Sequence, residues 1–169
     1  VFGTGFRTSP GAYQTTFQGG DYDIGIIKLT PDGTNRVYAT YIGGSEEEQP
    51  HSLICDNQGN LIVAGRTNSP NYPVTNNGAL AGARYDIVVT KLNAAGNVTW
   101  IKQGSRSNAY GLAICNSSVS ICGTFFSSVT IGTTTLTGST LDRDVFVAKY
   151  NSAGNEIWAF HFLIASTRR

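Results

Sequence analysis

The stretch DIGIIKL occupies residues 23–29, DIVVTKL residues 86–92 and DVFVAKY residues 144–150. Each opens on Asp and carries Lys five places later. In DIVVTKL the apolar side chains point both ways, because Ile87 and Val89 oppose Val88 and Leu92 on an extended chain. A strand with one solvated face would alternate apolar and polar residues, so this pattern predicts a strand covered on both sides. Asp and Lys, an odd number of residues apart, fall on opposite faces. They are expected to bond different neighbours at the two ends of the buried segment.

The repeat extends well beyond the heptapeptide. A Gly follows each Asp by ten residues, at Gly33, Gly96 and Gly154, within TPDGTN, NAAGNV and NSAGNE. This is turn chemistry of the kind that reverses a strand into a hairpin. Trp100 and Trp158 each stand fourteen residues after their Asp. GSEEEQPHSLIC (44–55) aligns without a gap on GSRSNAYGLAIC (104–115), and both lead into apolar runs ending at Gly65 and Gly123. The period is 63 residues from Asp23 to Asp86 and 58 from Asp86 to Asp144.

A period of this size, holding several short strands and no helical pattern, reads as a blade-type β repeat. Strands are predicted at about 23–29, 36–42, 51–55 and 61–65, and again at about 86–92, 97–103, 111–115 and 119–125. An extra edge hairpin is expected at 129–138, where Val129, Ile131 and Leu136 alternate. The expected fold is an all-β, β-propeller segment of about three four-stranded antiparallel blades, with a period of about 60 residues. The units are the end of a preceding blade (1–22), full units at 23–85 and 86–143, and a partial unit with a divergent tail (144–169). Each full unit is expected to form one four-stranded sheet.

Composition agrees with such a fold. Charged residues make up 14% of the 169-residue chain, Gly contributes 20 residues, and Ser and Thr fill the polar positions. Soluble domains average about 25% charged residues and 7% Gly. A formal net charge of +1 gives no electrostatic footprint for nucleic acid. No apolar run approaches the ~20 residues of a membrane-spanning helix, so no membrane insertion is expected. Val1 and the absence of Met lead to the expectation of a piece excised from a longer chain.

With these motifs laid out, the chain resembles the SBBP β-propeller repeats of bacterial surface and secreted proteins. The resemblance rests on DYDIGIIKLTPDGTNRVYATYIGGSEEEQPHSLICDNQGNLIVAGRTNSPNYPVT. VTWIKQGS and SSVTIGTTTLTGSTLDRDVFVAKYNSAGNEIWA are similar to a variant common in large secreted proteins of Bacteroidetes-type bacteria. It covers roughly residues 1–160. Two departures stand out: AFHFLIASTRR replaces the expected Gly-Gly-Ser turn, and cysteines stand at 55, 115 and 122. The resemblance implies a secreted or cell-surface, non-enzymatic scaffold or binding module, serving adhesion or protein interaction. The rival readings are a carbohydrate-binding propeller and a propeller enzyme, lyase or glycosidase, whose site lies outside this segment.

Residues recurring in every unit read as frame, and unit-specific ones as contacts. The candidate contact residues therefore lie in the non-repeated stretches 46–51, 66–72 and 106–110, chiefly Glu46, Glu47, Glu48, His51, Arg66, Tyr72, Arg106 and Tyr110, facing an unknown protein or glycan. No metal-ligand spacing, nucleophile elbow or phosphate loop is present, so no cofactor and no catalytic residue is assigned. Cys115 and Cys122 would stand opposite if the hairpin between them centres at 118/119, and a tighter turn would misalign them. Pairing across units with Cys55, and free thiols, are the alternatives. An arc of three blades would leave two faces uncovered, expected to be lined by Ile24, Ile26, Phe146 and Val147. Either the missing blades of a parent chain or self-association would cover them.

Overall fold

The computed structural model describes residues 1–74 and 85–162. It is all-β, with no α-helix among the described residues and a single 3-10 turn at Gly3–Gly5. The strands are Ile24–Leu29 (β1), Arg36–Ile42 (β2), Glu48–Cys55 (β3), Leu61–Thr67 (β4), Asp86–Leu92 (β5) and Val98–Gly104 (β6). Ser107–Cys115 (β7), Ser118–Phe126 (β8), Ser128–Ile131 (β9), Thr134–Thr137 (β10), Arg143–Tyr150 (β11) and Glu156–Phe162 (β12) complete the set. Every strand expected from the sequence is present, including the edge hairpin as β9–β10.

All pairings are antiparallel. β1–β2 form a first sheet, β3-β4-β5-β6 a central one, β7-β8-β11-β12 a last one, and β9–β10 a separate hairpin. Among the described residues these sheets do not close into a ring.

The three repeated heptapeptides occupy three different sheets, and β5 and β11 are each third in their four-stranded order. The sheets nevertheless run out of phase with the sequence units. The expectation that units 23–85 and 86–143 each form one sheet is corrected: the sheets span 48–104 and 107–162. The reason lies in the connections. The short links, 43–47 between β2 and β3 and 105–106 between β6 and β7, turn the chain into the next sheet. The long ones, 68–85 and 127–142, return it to the same sheet. Arg106, at φ +53°, sits in the two-residue corner. Its N–H donates to Asp86 Oδ1 at 2.8 Å.

Two apolar interfaces hold the stack together. Ile24, Ile26 and Tyr38 of the first sheet pack on Leu61, Val63, Val88, Leu92 and Ile101 of the central one. On its opposite face the central sheet sets Ile62, Ala64, Ile87, Val89 and Trp100 against Val119, Ile121, Phe146, Ala148 and Tyr150. β5 is consequently buried at all seven positions, Ile87 and Val89 facing one neighbour and Val88 and Leu92 the other. β1 and β11, nearly the same sequence, are buried on one face only.

The expected lining of the uncovered faces is corrected accordingly. Ile24, Ile26 and Phe146 point into the stack, at 3%, 7% and 0% exposure. Ile27 and Leu29 on the first sheet and half-exposed Val147 on the last lie outside. Part of the first sheet's outer face is covered by the N-terminal segment. Ser9 N–H donates to Ala39 O at 2.9 Å, Tyr41 Oη donates to Gly3 O at 3.1 Å, and the rings of Phe6 and Phe17 meet Tyr41 edge-on.

Candidate functional site

The recurring Asp and Lys are joints of the frame. Asp23, Asp86 and Asp144 are buried, at 0%, 1% and 0% exposure, and each accepts a backbone N–H of a loop: Gln18, Arg106 and Ser139. Two of the three lysines reach the other way, into the next sheet. Lys28 Nζ donates to Ala94 O at 3.0 Å, and Lys91 Nζ to Ser152 O at 3.5 Å while pairing with Asp56 at the same distance. Ala94 and Ser152 hold matched places in successive turns, so one sequence feature builds the same joint twice.

Departures from the repeat concentrate at the β3/β7 edge, and the structure explains how. Both strands carry a β-bulge, at Pro50/Ser52 in β3 and at Ala109/Gly111 in β7. The bulged strand presses so close to its neighbour that only glycine fits opposite. A Cβ at Gly65 would collide with Gln49 O and lie 2.9 Å from Pro50 Cα, and one at Gly123 would collide with Asn108 O. Bulges re-aim side chains, and here the bulged residues are His51 and Tyr110. Both are exposed, and their rings stack at 5.3 Å and 14°. His51 Nδ1 lies 2.7 Å from Ala109 O. A carbonyl can only accept, so that nitrogen carries a proton.

A polar cluster flanks this platform. Arg66 donates from Nε and Nη2 to Gln49 Oε1, at 3.2 and 2.7 Å, and from Nη1 to Asn108 Oδ1 at 3.5 Å. Its guanidinium lies 3.8 Å from the centre of the Tyr85 ring. Tyr85 Oη donates to Glu47 Oε2 at 3.1 Å, and burial with this carboxylate raises the phenol's pKa. Arg66 makes no ion pair among the described residues. It is held by two neutral amides and a ring, a cation fixed in place without being neutralised.

Of the eight candidate contact residues, Glu47, His51, Arg66 and Tyr110 come together here. Glu46 and Arg106 are exposed in the corners preceding β3 and β7. Tyr72 is corrected to a core residue: it is 2% exposed, its Oη is 3.1 Å from Thr90 Oγ1, and burial raises its pKa. Glu48 is likewise corrected. It is 1% exposed, with Oε1 accepting from Thr67 Oγ1 and Ser69 Oγ and Oε2 from Gly44 N–H. Burial and the adjacent Asp23 carboxyl push its pKa up to about 7. Asp23 Oδ1 has no hydrogen-bond partner in the heavy-atom network, although a Cβ at Gly43 would collide with it and stand 2.7 Å from Glu48 Oε2. Two acceptors so placed share a proton. Both carboxyls are sealed from solvent and no substrate reaches them.

Tyr85 lay outside the sequence candidates, and Gln49 and Asn108 fell within the stretches 46–51 and 106–110 without being singled out. The signal that could have found them is the pair Gly65/Gly123, which marks the bulges. The cysteines are also settled by register. Asn116 and Ser117, at φ +47° and +62°, form a two-residue turn, placing Cys115 opposite Ser118 and Cys122 opposite Gly111. The 115–122 pairing is therefore corrected, and all three cysteines are free thiols at exposed positions. No group of three or more metal-ligating side chains occurs among the described residues, and none of their helices is long and apolar enough to cross a membrane.

Comparison with known proteins gives no matching family model and no matching curated protein. The internal repeat and the geometry of the bulged edge therefore carry the functional reading.

Proposed function

We propose that this chain is a propeller-type repeat segment of the SBBP kind, a non-enzymatic scaffold and binding module of a secreted or cell-surface protein, and that it meets its ligand through the His51–Tyr110 platform. The observation that carries this is the paired bulge. Two successive sheets use the same glycine-backed device to turn unlike, unit-specific rings outward onto one exposed edge. Aromatic residues and arginine dominate binding energy at protein interfaces, and this edge brings together Tyr110, His51, Tyr85 and Arg66 from two neighbouring sheets. The fixed joints elsewhere preorganise them, which lowers the entropic cost of binding.

A glycan ligand is the second reading. Flat stacked rings beside amides and a fixed guanidinium suit a sugar's apolar face and its hydroxyls. Screening the chain on a glycan array and on immobilised extracellular-matrix proteins, beside Tyr110→Ala and His51→Ala, tests both. Binding that falls at least tenfold in both variants, with unchanged thermal unfolding, supports the platform. Binding indifferent to both substitutions overturns it.

A further inference from the structure

The two internal joints of the stack are built from the same parts. Between the first and central sheets, Lys28 donates to Ala94 O, and the Tyr38 ring lies over Gly96, where a Cβ would stand 2.7 Å from Tyr38 Cγ. Between the central and last sheets, Lys91 and the Trp100 indole N–H both donate to Ser152 O, the latter at 3.1 Å. The Trp100 ring lies over Gly154, where a Cβ would stand 2.9 Å from Cδ2. Each joint is thus a Lys and an aromatic ring from one sheet clasping the glycine turn of the next.

Each end of the stack carries one half of that joint. On the last sheet Lys149 and Trp158 occupy the clasping positions, side by side in register and half-exposed. Lys149 has no hydrogen bond or ion pair among the described residues. Beside them the outward face of β11–β12 shows Val145, Val147, Phe160 and Phe162, the two phenylalanines each 62% exposed. The first sheet carries the matching turn, Thr30–Asn35. Nothing lies within 4 Å of a Cβ placed on Gly33, and Pro31 holds the place of Ala94 and Ser152. Next to that turn the first sheet exposes Ile27, Leu29 and Val37, at 54%, 51% and 48%. These form an apolar face of the kind soluble monomers rarely leave open.

We propose that the chain binds a second copy of itself head to tail, the Lys149/Trp158 face of β11–β12 clasping the Pro31–Gly33 turn and the Ile27/Leu29 face of the next copy's first sheet. The Trp158 indole N–H and Lys149 Nζ donate to Pro31 O of that copy, repeating the donors on Ser152 O. The contact is heterologous, so an open assembly keeps one free head and one free tail until a ring closes. It does not involve the His51–Tyr110 edge, so its fate is separate from that of the proposed binding role.

Sedimentation equilibrium of the 169-residue chain, from one to about a hundred micromolar, tests it. The wild-type chain is expected to exceed monomer mass increasingly with concentration. Trp158→Lys disables the head and Ile27→Lys the tail; both sites are solvent-facing, and circular dichroism confirms folding. Lys149→Glu serves as a second head variant. Each variant alone is expected to be monomeric, with association weakened at least tenfold. An equimolar mixture of a head variant and the tail variant, in which one functional head meets one functional tail, is expected to recover dimers and go no further. A monomeric wild type at a hundred micromolar overturns the proposal. So does a variant that still self-associates, which is what a two-fold interface between like faces would give.

Discussion

Replacing Asp23 with Asn tests the shared proton between the first sheet and β3. Asp23 Oδ2 accepts the Gln18 N–H at 2.8 Å, while Oδ1 faces Glu48 without a donor between them. The native state therefore keeps a proton on the pair. Glu48, with an ordinary value of 4.5, is held up to about 7 by burial first and by Asp23 second. Asp23 is raised as well, chiefly by burial. Between pH 4.5 and about 7 the unfolded chain releases a proton that the folded one retains. Stability is thus full below about 4.5 and is lost as pH rises through 7. The size of that loss follows from 1.36 kcal/mol per pH unit, which gives about 3 kcal/mol.

In Asp23→Asn the amide oxygen keeps the Gln18 bond, and the amide nitrogen can donate to Glu48 Oε2. Glu48 then ionises with the Thr67, Ser69 and Gly44 donors already in place. The variant is expected to lose less stability than the wild type between pH 5 and 8, because burial still raises the Glu48 carboxyl while the contribution of Asp23 is gone. At pH 8 it should exceed the wild type by about 1 kcal/mol, or roughly 2–4 °C in Tm for a chain of this length. Urea unfolding at pH 5, 6.5 and 8 measures this directly. A wild type equally stable at pH 5 and 8, or a variant with the wild-type slope, refutes the shared proton.

Three further outcomes are expected. Gly65→Ala and Gly123→Ala drive a Cβ into backbone at the bulges, so each should cost about 1–3 kcal/mol in urea unfolding and disturb the Tyr110 environment seen by fluorescence. Trp100→Ala, which removes a ring at 5% exposure that lies over Gly154, should cost about 3–5 kcal/mol. At sub-micromolar concentration the matched Trp158→Ala, on the uncovered face, should cost under about 1 kcal/mol. Alkylation of the unreduced protein followed by mass spectrometry should find three modified cysteines, since the Asn116–Ser117 turn sets Cys115 and Cys122 out of register.

Most strand boundaries and the role of the repeated heptapeptide were legible in the residues, although β3 and β7 begin at Glu48 and Ser107, ahead of the expected 51 and 111. Periodicity, turn glycines and two-faced apolar runs are local signals, and β5 is buried on both faces as DIVVTKL implies. The frame role of the recurring Asp and Lys was equally readable, because residues present in every unit answer to what every unit shares. What the sequence could not supply was which strands share a sheet. Short links are ordinarily hairpins, yet here residues 105–106 lead into a new sheet and residues 127–142 return to the old one. That choice depends on packing between faces distant in the chain. Burial followed the same logic. DIGIIKL, DIVVTKL and DVFVAKY are nearly one sequence, but only the middle copy has a sheet on each side. Ile27 and Val147 are therefore left facing outward. The candidate site divided in the same way. Strand residues such as His51, Arg66 and Tyr110 could be picked because they break the repeat. Tyr72 and Glu48 break it too, but long-range contacts with Thr90 and with Asp23 draw them inside. A lone sequence position carries no information on the depth at which the tertiary fold will place it.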